Sequence, residues 1–263
     1  MTCNITNLSR FYTIYVYLRT QMAKKKENKV ARFFKNSFQF LVFLFILGFQ
    51  TTFFFVILYR VMPVPVTPLH LLRVYEQFRD NKEIKLQKSW KSIDFVSDKF
   101  CLAVITAEDI KFIQHYGFDF EQIKKSVKTG IKRGKKMRGA STISQQTAKN
   151  LFFTPKRSWI RKIPEVIITL AIEVLWTKKR ILEVYINIIE MGDGIYGVDA
   201  AAYAYFNKSA TRLTSRESAL IAACLPNPRK YNAGKPNKYI QRKARVIQRY
   251  MNQIGLLPWK NRP

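Results

Sequence analysis

A nearly uninterrupted apolar run from Phe38 to Tyr59 constrains this chain more than any other feature of its sequence. The run contains no charged residue and has the length of a bilayer-spanning helix, which needs about 20 apolar residues. Six basic residues precede it, namely Lys24, Lys25, Lys26, Lys29, Arg32 and Lys35. Because basic flanks stay on the cytoplasmic side, we expect a cytoplasmic segment over 1–37, one transmembrane helix over 38–59 and an external domain over 60–263.

The N-terminal apolar run does not have the features of a cleaved signal peptide. It is too long, and no cleavage site with small residues follows it. Met22 is followed at once by Ala-Lys-Lys-Lys, which has the composition of a cytoplasmic head. We therefore expect translation to start at Met22.

The charge balance of the chain is strongly basic, with 46 Lys and Arg residues against 17 Asp and Glu and a formal net charge of +29. Such a balance implies a polyanionic neighbour, either nucleic acid or the anionic surface of a membrane. The apolar run favours the membrane.

The cysteines and histidines do not form a recognisable metal site. Cys101 and Cys224 both stand in apolar surroundings, so two buried thiols are favoured over a disulfide. The only histidines are His70 and His115, and there is no Cys-x-x-Cys pair. No spacing typical of metal ligands is present.

Capping signals and apolar periodicity predict a mainly α-helical external domain. We expect helices to begin near Thr67, Asp119, Thr142 and Thr214, and further helices over about 97–106, 160–174, 181–189, 200–205 and 242–254. Residues 83–95 alternate weakly and predict a short extended segment. Three glycines, Gly192, Gly194 and Gly197, predict a loop.

The stretch from Gly139 to Asn150 combines small, hydroxyl and amide side chains with a single Lys, and it follows a very basic run. Thr142 with Gln145 has the spacing of a capping box. Unpaired N–H groups at a helix start favour an anion, and Thr142, Gln146 and Lys149 would share one helical face. The stretch is therefore either a site for sugar hydroxyls and phosphate or an ordinary capped helix in water.

Two carboxylates are candidates for chemistry. Glu108 lies at the end of a hydrophobic helix, where burial can raise the pKa of a carboxyl that acts as acid or base; the alternative is a helix-end carboxylate in water. Glu165 follows Arg161 by four residues, which also fits a plain helix ion pair. His115 lacks a catalytic partner and fits a scaffold role better than a base. The nearby cations favour a phosphate site and comprise Lys149, Lys156, Arg157, Arg161 and Lys162.

These residues fall in four segments that resemble the motifs of the peptidoglycan glycosyltransferase family. In chain order the segments are Glu108–Asp119 (EDIKFIQHYGFD), Gly139–Asn150 (GASTISQQTAKN), Arg161–Glu165 (RKIPE) and Lys179–Asn187 (KRILEVYIN). The resemblance covers about residues 65–255. No transpeptidase domain follows, so the resemblance is to the monofunctional biosynthetic members and to the glycosyltransferase module of class A penicillin-binding proteins.

The resemblance implies a fold and a reaction. The fold would be lysozyme-like and mainly α-helical, with a small jaw lobe beside the membrane. The reaction would polymerise lipid II on the periplasmic side of the bacterial inner membrane. It forms β-1,4 links with inversion and releases undecaprenyl pyrophosphate. Implied partners are lipid II, the growing lipid-linked glycan, the anionic membrane and cell-wall synthesis complexes, but no nucleic acid.

The resemblance also implies roles for individual residues. Glu108 would be the general base, Glu165 would assist on the donor side, and Lys149 with Arg157 would stabilise the leaving pyrophosphate. The residues expected to contact sugar and phosphate are Asp109, Ser141, Thr142, Gln145, Gln146 and Asn150. A divalent cation, Mg²⁺ or Mn²⁺, would match a pyrophosphate leaving group, although the sequence shows no ligand set for it.

Two other functions remain alternatives on the sequence alone. A lysozyme-like lytic enzyme would also use a Glu on a helical fold, but hydrolysis of glycan gives no role to the cluster of cations. A membrane-tethered nucleic-acid binder would explain the charge but not the placement of Glu108 and Glu165. Finally, Phe152, Phe153, Trp159 and Ile160 are expected either to enter the lipid or to belong to the core.

Overall fold

The structure is a computed structural model that describes residues 5–133, 141–155, 161–255 and 257–259. Contacts divide the chain into two compact units, Met1–Phe54 and Phe55–Pro263. Helix α1, Ile5–Leu58, makes up the described part of the first unit and ends just inside the second. Its segment Ala31–Leu58 is long and apolar enough to cross a membrane, and it includes all but the last residue of the predicted span.

The second unit is mainly α-helical, as the sequence predicts. Its helices are α2 (Pro68–Arg79), α3 (Asp98–Glu108), α4 (Phe120–Arg133), α5 (Ile143–Phe152), α6 (Lys162–Leu175), α7 (Lys178–Ile188), α8 (Val198–Phe206), α9 (Ser215–Cys224) and α10 (Lys238–Ile254). Two short 3₁₀ turns cover Ile93–Phe95 and Ala210–Arg212.

Side-chain caps fix where several of these helices begin. Thr142 and Gln145 form a complete capping box at the start of α5, and Thr214 and Glu217 form another at the start of α9. The Asp119 carboxylate accepts the N–H of Gln122 at the start of α4. Each cap satisfies backbone donors that a helix start would otherwise leave unpaired. These predicted starts are confirmed.

The core forms where α3 packs against α9 and α10, and where α5 packs against α6 and α7. The contact face of α3 is apolar and completely buried, and it includes Phe100, Val104 and Ile105. Cys101 and Cys224 lie in this core as buried thiols that form no disulfide, which confirms that prediction. Burial of this face holds the C-terminal end of α3 in place, and Glu108 is its last residue.

A small sheet replaces the loop predicted around the three glycines. Its strands are β1 (Gln87–Lys88), β2 (Glu190–Gly192) and β3 (Ile195–Tyr196). Strand β3 lies in the middle, parallel to β1 and antiparallel to β2. Gly194 turns the chain between β2 and β3 with a φ of +73°, and a Cβ there would lie 2.5 Å from the carbonyl oxygen of Lys85. Only glycine accommodates both constraints.

Candidate active site

Glu108 lies partly buried at the C-terminal end of α3. Its Oε2 accepts a hydrogen bond of 2.8 Å from Nε2 of Gln146 on α5. The structure therefore brings together two residues that the sequence places in different motifs. This hydrogen bond does not involve Oε1, the other carboxylate oxygen of Glu108.

Burial raises the pKa of the Glu108 carboxyl above its ordinary value. The hydrogen bond from Gln146 and the positive charges of Lys243 and Lys149 act in the opposite direction, while the nearby charge of Asp109 adds to the increase. A raised pKa makes a carboxylate a stronger base once it is ionised, and neighbouring cations keep it ionised. The environment of Glu108 therefore favours proton abstraction.

Asp109 binds protein groups rather than facing an open cleft, because only 1% of its surface is exposed. His115 donates from Nε2 to the carboxylate, with distances of 2.9 and 3.0 Å to the two oxygens. The backbone N–H of Ile143 donates to Oδ2 at 3.0 Å. The Asp109 carboxylate therefore fills the start of α5, where the sequence predicts an anion site. His115 makes a hydrogen bond of the kind expected of a scaffold residue, and that role stays a prediction.

Thr142 and Gln145 are also buried and serve the protein itself. The Thr142 hydroxyl donates to the carbonyl of Gly117 at 2.6 Å and accepts the N–H of Gln145. The Gln145 carbonyl oxygen accepts the N–H of Thr142. In this structure their hydrogen bonds and that of Asp109 hold α5 against the end of α3. Direct substrate contact of Thr142, Gln145 and Asp109 stays a prediction.

Lys149 lies on α5, one turn after Gln146, where it interacts electrostatically with both candidate carboxylates. Burial lowers the pKa of its ammonium group, the charges of Glu165 and Glu108 raise it, and the neighbouring Arg161 and Lys162 lower it. The net effect is a lowered pKa of the Lys149 ammonium group. A partly desolvated cation acts more strongly on nearby charge than one in water.

Glu165 lies near the start of α6 and is 5% exposed. Lys162 Nζ lies 2.7 Å from its Oε1, and Arg161 Nε lies 3.7 Å from its Oε2. The predicted pair with Arg161 is therefore present, but it belongs to a larger cluster that also includes the partly buried Lys149. Around Glu165 this cluster has three cations and one carboxylate, so an anionic substrate would neutralise part of an excess of positive charge.

The described residues do not fit a metal ion held by the protein. They include no group of three or more His, Cys, Asp or Glu side chains placed to bind one. The oxygens of Glu165 already face Lys162 and Arg161. Two side-chain cations therefore neutralise the carboxylate that a divalent ion would bind.

Two residues near Glu108, Tyr185 and Lys243, are not among those predicted from the sequence to have a functional role. Tyr185 on α7 is 1% exposed, and its hydroxyl lies 3.3 Å from Oε1 of Gln146. Lys243 on α10 donates to the carbonyl of Ala223 at 3.1 Å. Burial lowers the pKa of its ammonium group, and the charge of Glu108 raises it. Lys243 follows buried Ile240 by three residues, which is the only sequence signal that it lies on the inner face.

The remaining predicted contact residues are not connected to Glu108 by any hydrogen bond that the structure describes. Ser141 is exposed just before α5, and Asn150 is partly buried near the end of that helix. Arg157 lies outside the described residues. For these three, contact with substrate stays a prediction.

Comparison with known proteins identifies similar chains. A family model described as Transglycosylase matches residues 75–252. A biosynthetic peptidoglycan transglycosylase of Bacteroides thetaiotaomicron is 46% identical over 230 residues, which cover 88% of this chain and 90% of that protein. A protein of the same name from Escherichia coli is 47% identical over 203 residues, which cover 77% of this chain and 84% of that protein. Another protein of this name, from Bdellovibrio bacteriovorus, is 43% identical over 205 residues, which cover 78% of this chain and 82% of that protein.

Proposed function

The chain belongs to the transglycosylase family, and we propose that the site around Glu108 carries out peptidoglycan glycosyl transfer with this carboxylate as the general base. The acceptor is the 4-hydroxyl of a lipid II GlcNAc, and the donor is the lipid-linked MurNAc at the end of the growing strand. As the acceptor oxygen attacks C1 of the donor, its proton passes to Glu108. The bond from C1 to the pyrophosphate oxygen breaks, and undecaprenyl pyrophosphate leaves with the electron pair. The configuration inverts from α to β.

The observation that carries this proposal is the pairing of a basic carboxylate with a partly buried cation. Glu108 interacts with Lys149, and Lys149 also interacts with Glu165. A base is needed at the acceptor hydroxyl, and a cation is needed where charge develops on the departing pyrophosphate. One face of α5 supplies contacts to both points, because Gln146 and Lys149 are three residues apart.

The cation cluster supports polymerisation over glycan cleavage. Arg161 and Lys162 surround Glu165, and Lys149 adds a third positive charge. Three cations around one carboxylate leave an excess of positive charge, which a pyrophosphate would neutralise. A lytic enzyme releases no pyrophosphate and has no use for such an excess. We assign Lys149 to the leaving group, and we propose that Glu165 holds the cations in place.

A single assay separates these two activities. Purified full-length protein in detergent, given labelled lipid II, is expected to build long glycan strands that a gel resolves. Preformed strands without a lipid carrier are expected to keep their length. Shortening of preformed strands without any polymer from lipid II would identify a lytic enzyme and overturn the proposal.

We also propose that the catalytic unit faces the periplasm with helix α6 in contact with the bilayer. Trp176, which ends α6, donates from Nε1 to the carbonyl of Val56 at 2.8 Å, in the last turn of the apolar helix. The Arg180 guanidinium donates to the carbonyls of Tyr59 and Met62 just beyond it. The C-terminal end of α6 is therefore tied to the point where the chain leaves the membrane.

The outward face of α6 carries an exposed apolar stripe that matches this position. Its members recur every three or four residues and are exposed: Ile163, Ile167, Leu170 and Val174. Val174, nearest the membrane end, is 82% exposed. An exposed apolar stripe on an amphipathic helix that ends near a bilayer surface is typical of an interfacial helix. We assign lipid as its occupant.

This stripe replaces the residues expected from the sequence to enter the lipid. Phe152 and Phe153 are partly buried and pack against the core. This packing supports their alternative assignment to the core. Trp159 and Ile160 lie outside the described residues.

A spin label at position 174 tests the lipid contact. In full-length protein with Cys3→Ser and Val174→Cys, reconstituted in anionic vesicles, we expect the label to be more accessible to oxygen than to an aqueous nickel complex. A label at Asn252→Cys, on an exposed part of α10, should show the opposite preference. Higher nickel access at position 174 would contradict lipid contact. Strong dipolar coupling between labels would instead identify a second copy of the chain as the occupant.

A further inference from the structure

The side-chain amide of Gln146 is held at both ends. Its Nε2 donates to Glu108 at 2.8 Å, and its Oε1 lies 3.3 Å from the Tyr185 hydroxyl. A carboxylate only accepts hydrogen bonds, so the amide must present its NH₂ group to Glu108. The Tyr185 hydroxyl then donates to the remaining carbonyl oxygen. The three side chains form a directed chain of hydrogen bonds from α7 through α5 to α3.

We propose that Tyr185 is a positioning residue for glycosyl transfer: through Gln146, it holds the Glu108 carboxylate in the orientation that receives the acceptor proton. The inference rests on the proposed role of Glu108 as the general base. Tyr185 cannot act by touching the substrate, because only 1% of its surface is exposed. Gln146 thereby has a role within the protein in addition to the substrate contact expected from its motif.

The physical basis is the orientation of one amide group. A Gln amide can rotate by half a turn about its last side-chain bond, because this terminal torsion is broad and roughly two-fold. The rotated form would place Oε1 against the carboxylate, where two acceptors repel each other. In the productive orientation the Tyr185 hydroxyl donates to Oε1 and fixes the position of the amide beside the carboxylate. The resulting hydrogen bond favours the ionised form of Glu108.

Other charged groups also face Glu108 and limit what Tyr185 controls. Lys243 on α10 and Lys149 on α5 favour the ionised carboxylate, and Asp109 at the end of α3 opposes it. Loss of the Tyr185 hydroxyl leaves these three groups in place. We therefore expect a partial loss of activity that depends on pH, and not inactivation.

The test is the pH dependence of lipid II polymerisation by full-length Tyr185→Phe. Removal of the hydroxyl frees the amide, weakens its hydrogen bond to Glu108 and raises the pKa of the base. At neutral pH we expect kcat to fall about fivefold, the typical effect of one hydrogen bond between neutral groups. The acid limb of the rate profile should move to higher pH, activity should recover at alkaline pH, and KM for lipid II should stay nearly constant.

A matched control is Tyr205→Phe. The Tyr205 hydroxyl donates to the carbonyl of Met191 at 3.0 Å, so this variant also loses one hydrogen bond in the same unit. Its rate profile should keep the wild-type acid limb. An unshifted limb in Tyr185→Phe, or a loss that alkaline pH does not restore, would overturn the positioning role.

The Glu108→Gln variant distinguishes failure of this inference from failure of the proposed base. If Glu108→Gln is inactive while Tyr185→Phe has the wild-type profile, Glu108 remains the base and the positioning role is wrong. If Glu108→Gln polymerises lipid II at the wild-type rate, both assignments are wrong.

Discussion

Glu108→Gln is expected to lower the rate of lipid II polymerisation by about 10²–10⁴-fold, which is the usual contribution of a general base. The substitution preserves the shape of the side chain and leaves an oxygen that can still accept the Gln146 hydrogen bond. It removes the ability to take the acceptor proton, together with the negative charge that faces Lys243 and Lys149. Purified full-length protein with labelled lipid II provides the measurement, with strand length and rate read from a gel.

A surface carboxylate supplies the control for Glu108→Gln. Glu121 on α4 has a side chain that is 82% exposed and pairs with Lys111. Glu121→Gln removes the same charge at the same size, and exposed ion pairs contribute little to stability. Its polymerisation rate should stay near wild type. A Glu108→Gln variant that resembles Glu121→Gln in rate would exclude Glu108 as the base.

Lys149→Met is expected to lower kcat by about 10²–10³-fold, comparable to the loss of one group that stabilises developing charge. Met keeps much of the apolar stem of Lys and removes its charge. Glu165 keeps Lys162 at 2.7 Å and Arg161 at 3.7 Å, so it is not left as an unpaired buried charge. The free energy of unfolding should therefore change much less than the free energy of activation.

Two measurements on the Lys149→Met protein separate catalysis from folding: steady-state polymerisation and thermal unfolding in detergent. Lys128→Met, at an exposed position of α4, controls for loss of one positive charge and should leave both nearly unchanged. If Lys149→Met loses stability and turnover in parallel, Lys149 is not a catalytic cation and α5 is an ordinary capped helix.

The helices of this fold are readable from sequence because their determinants are local. Thr142 and Gln145 are three residues apart, and so are Thr214 and Glu217, so each capping box is visible in a short window. The small sheet is not readable in this way. Its parallel contact joins two-residue strands, with Gln87 opposite Ile195, and segments this short carry almost no periodic signal.

The candidate site is only partly readable from sequence, because its decisive contacts are tertiary. Glu108 and Lys149 stand out by their motifs. Asp109, in contrast, accepts the N–H of Ile143 at the start of α5, and these two residues are 34 positions apart in the sequence. Tyr185 resembles any core aromatic, and Lys243 is one of several cations on a basic helix. Their roles become visible only when α7 and α10 are placed beside Glu108.

The pH dependence of the residual activity in Glu108→Gln examines the proposed base most directly. Burial raises the pKa of Glu108, and only the ionised carboxylate accepts a proton. Wild-type turnover should therefore fall as the pH drops through that raised pKa. In Glu108→Gln, measured at high enzyme concentration, this acid limb should be absent and the residual rate flat across the same range. An acid limb that persists unchanged in Glu108→Gln would show that another group takes the proton.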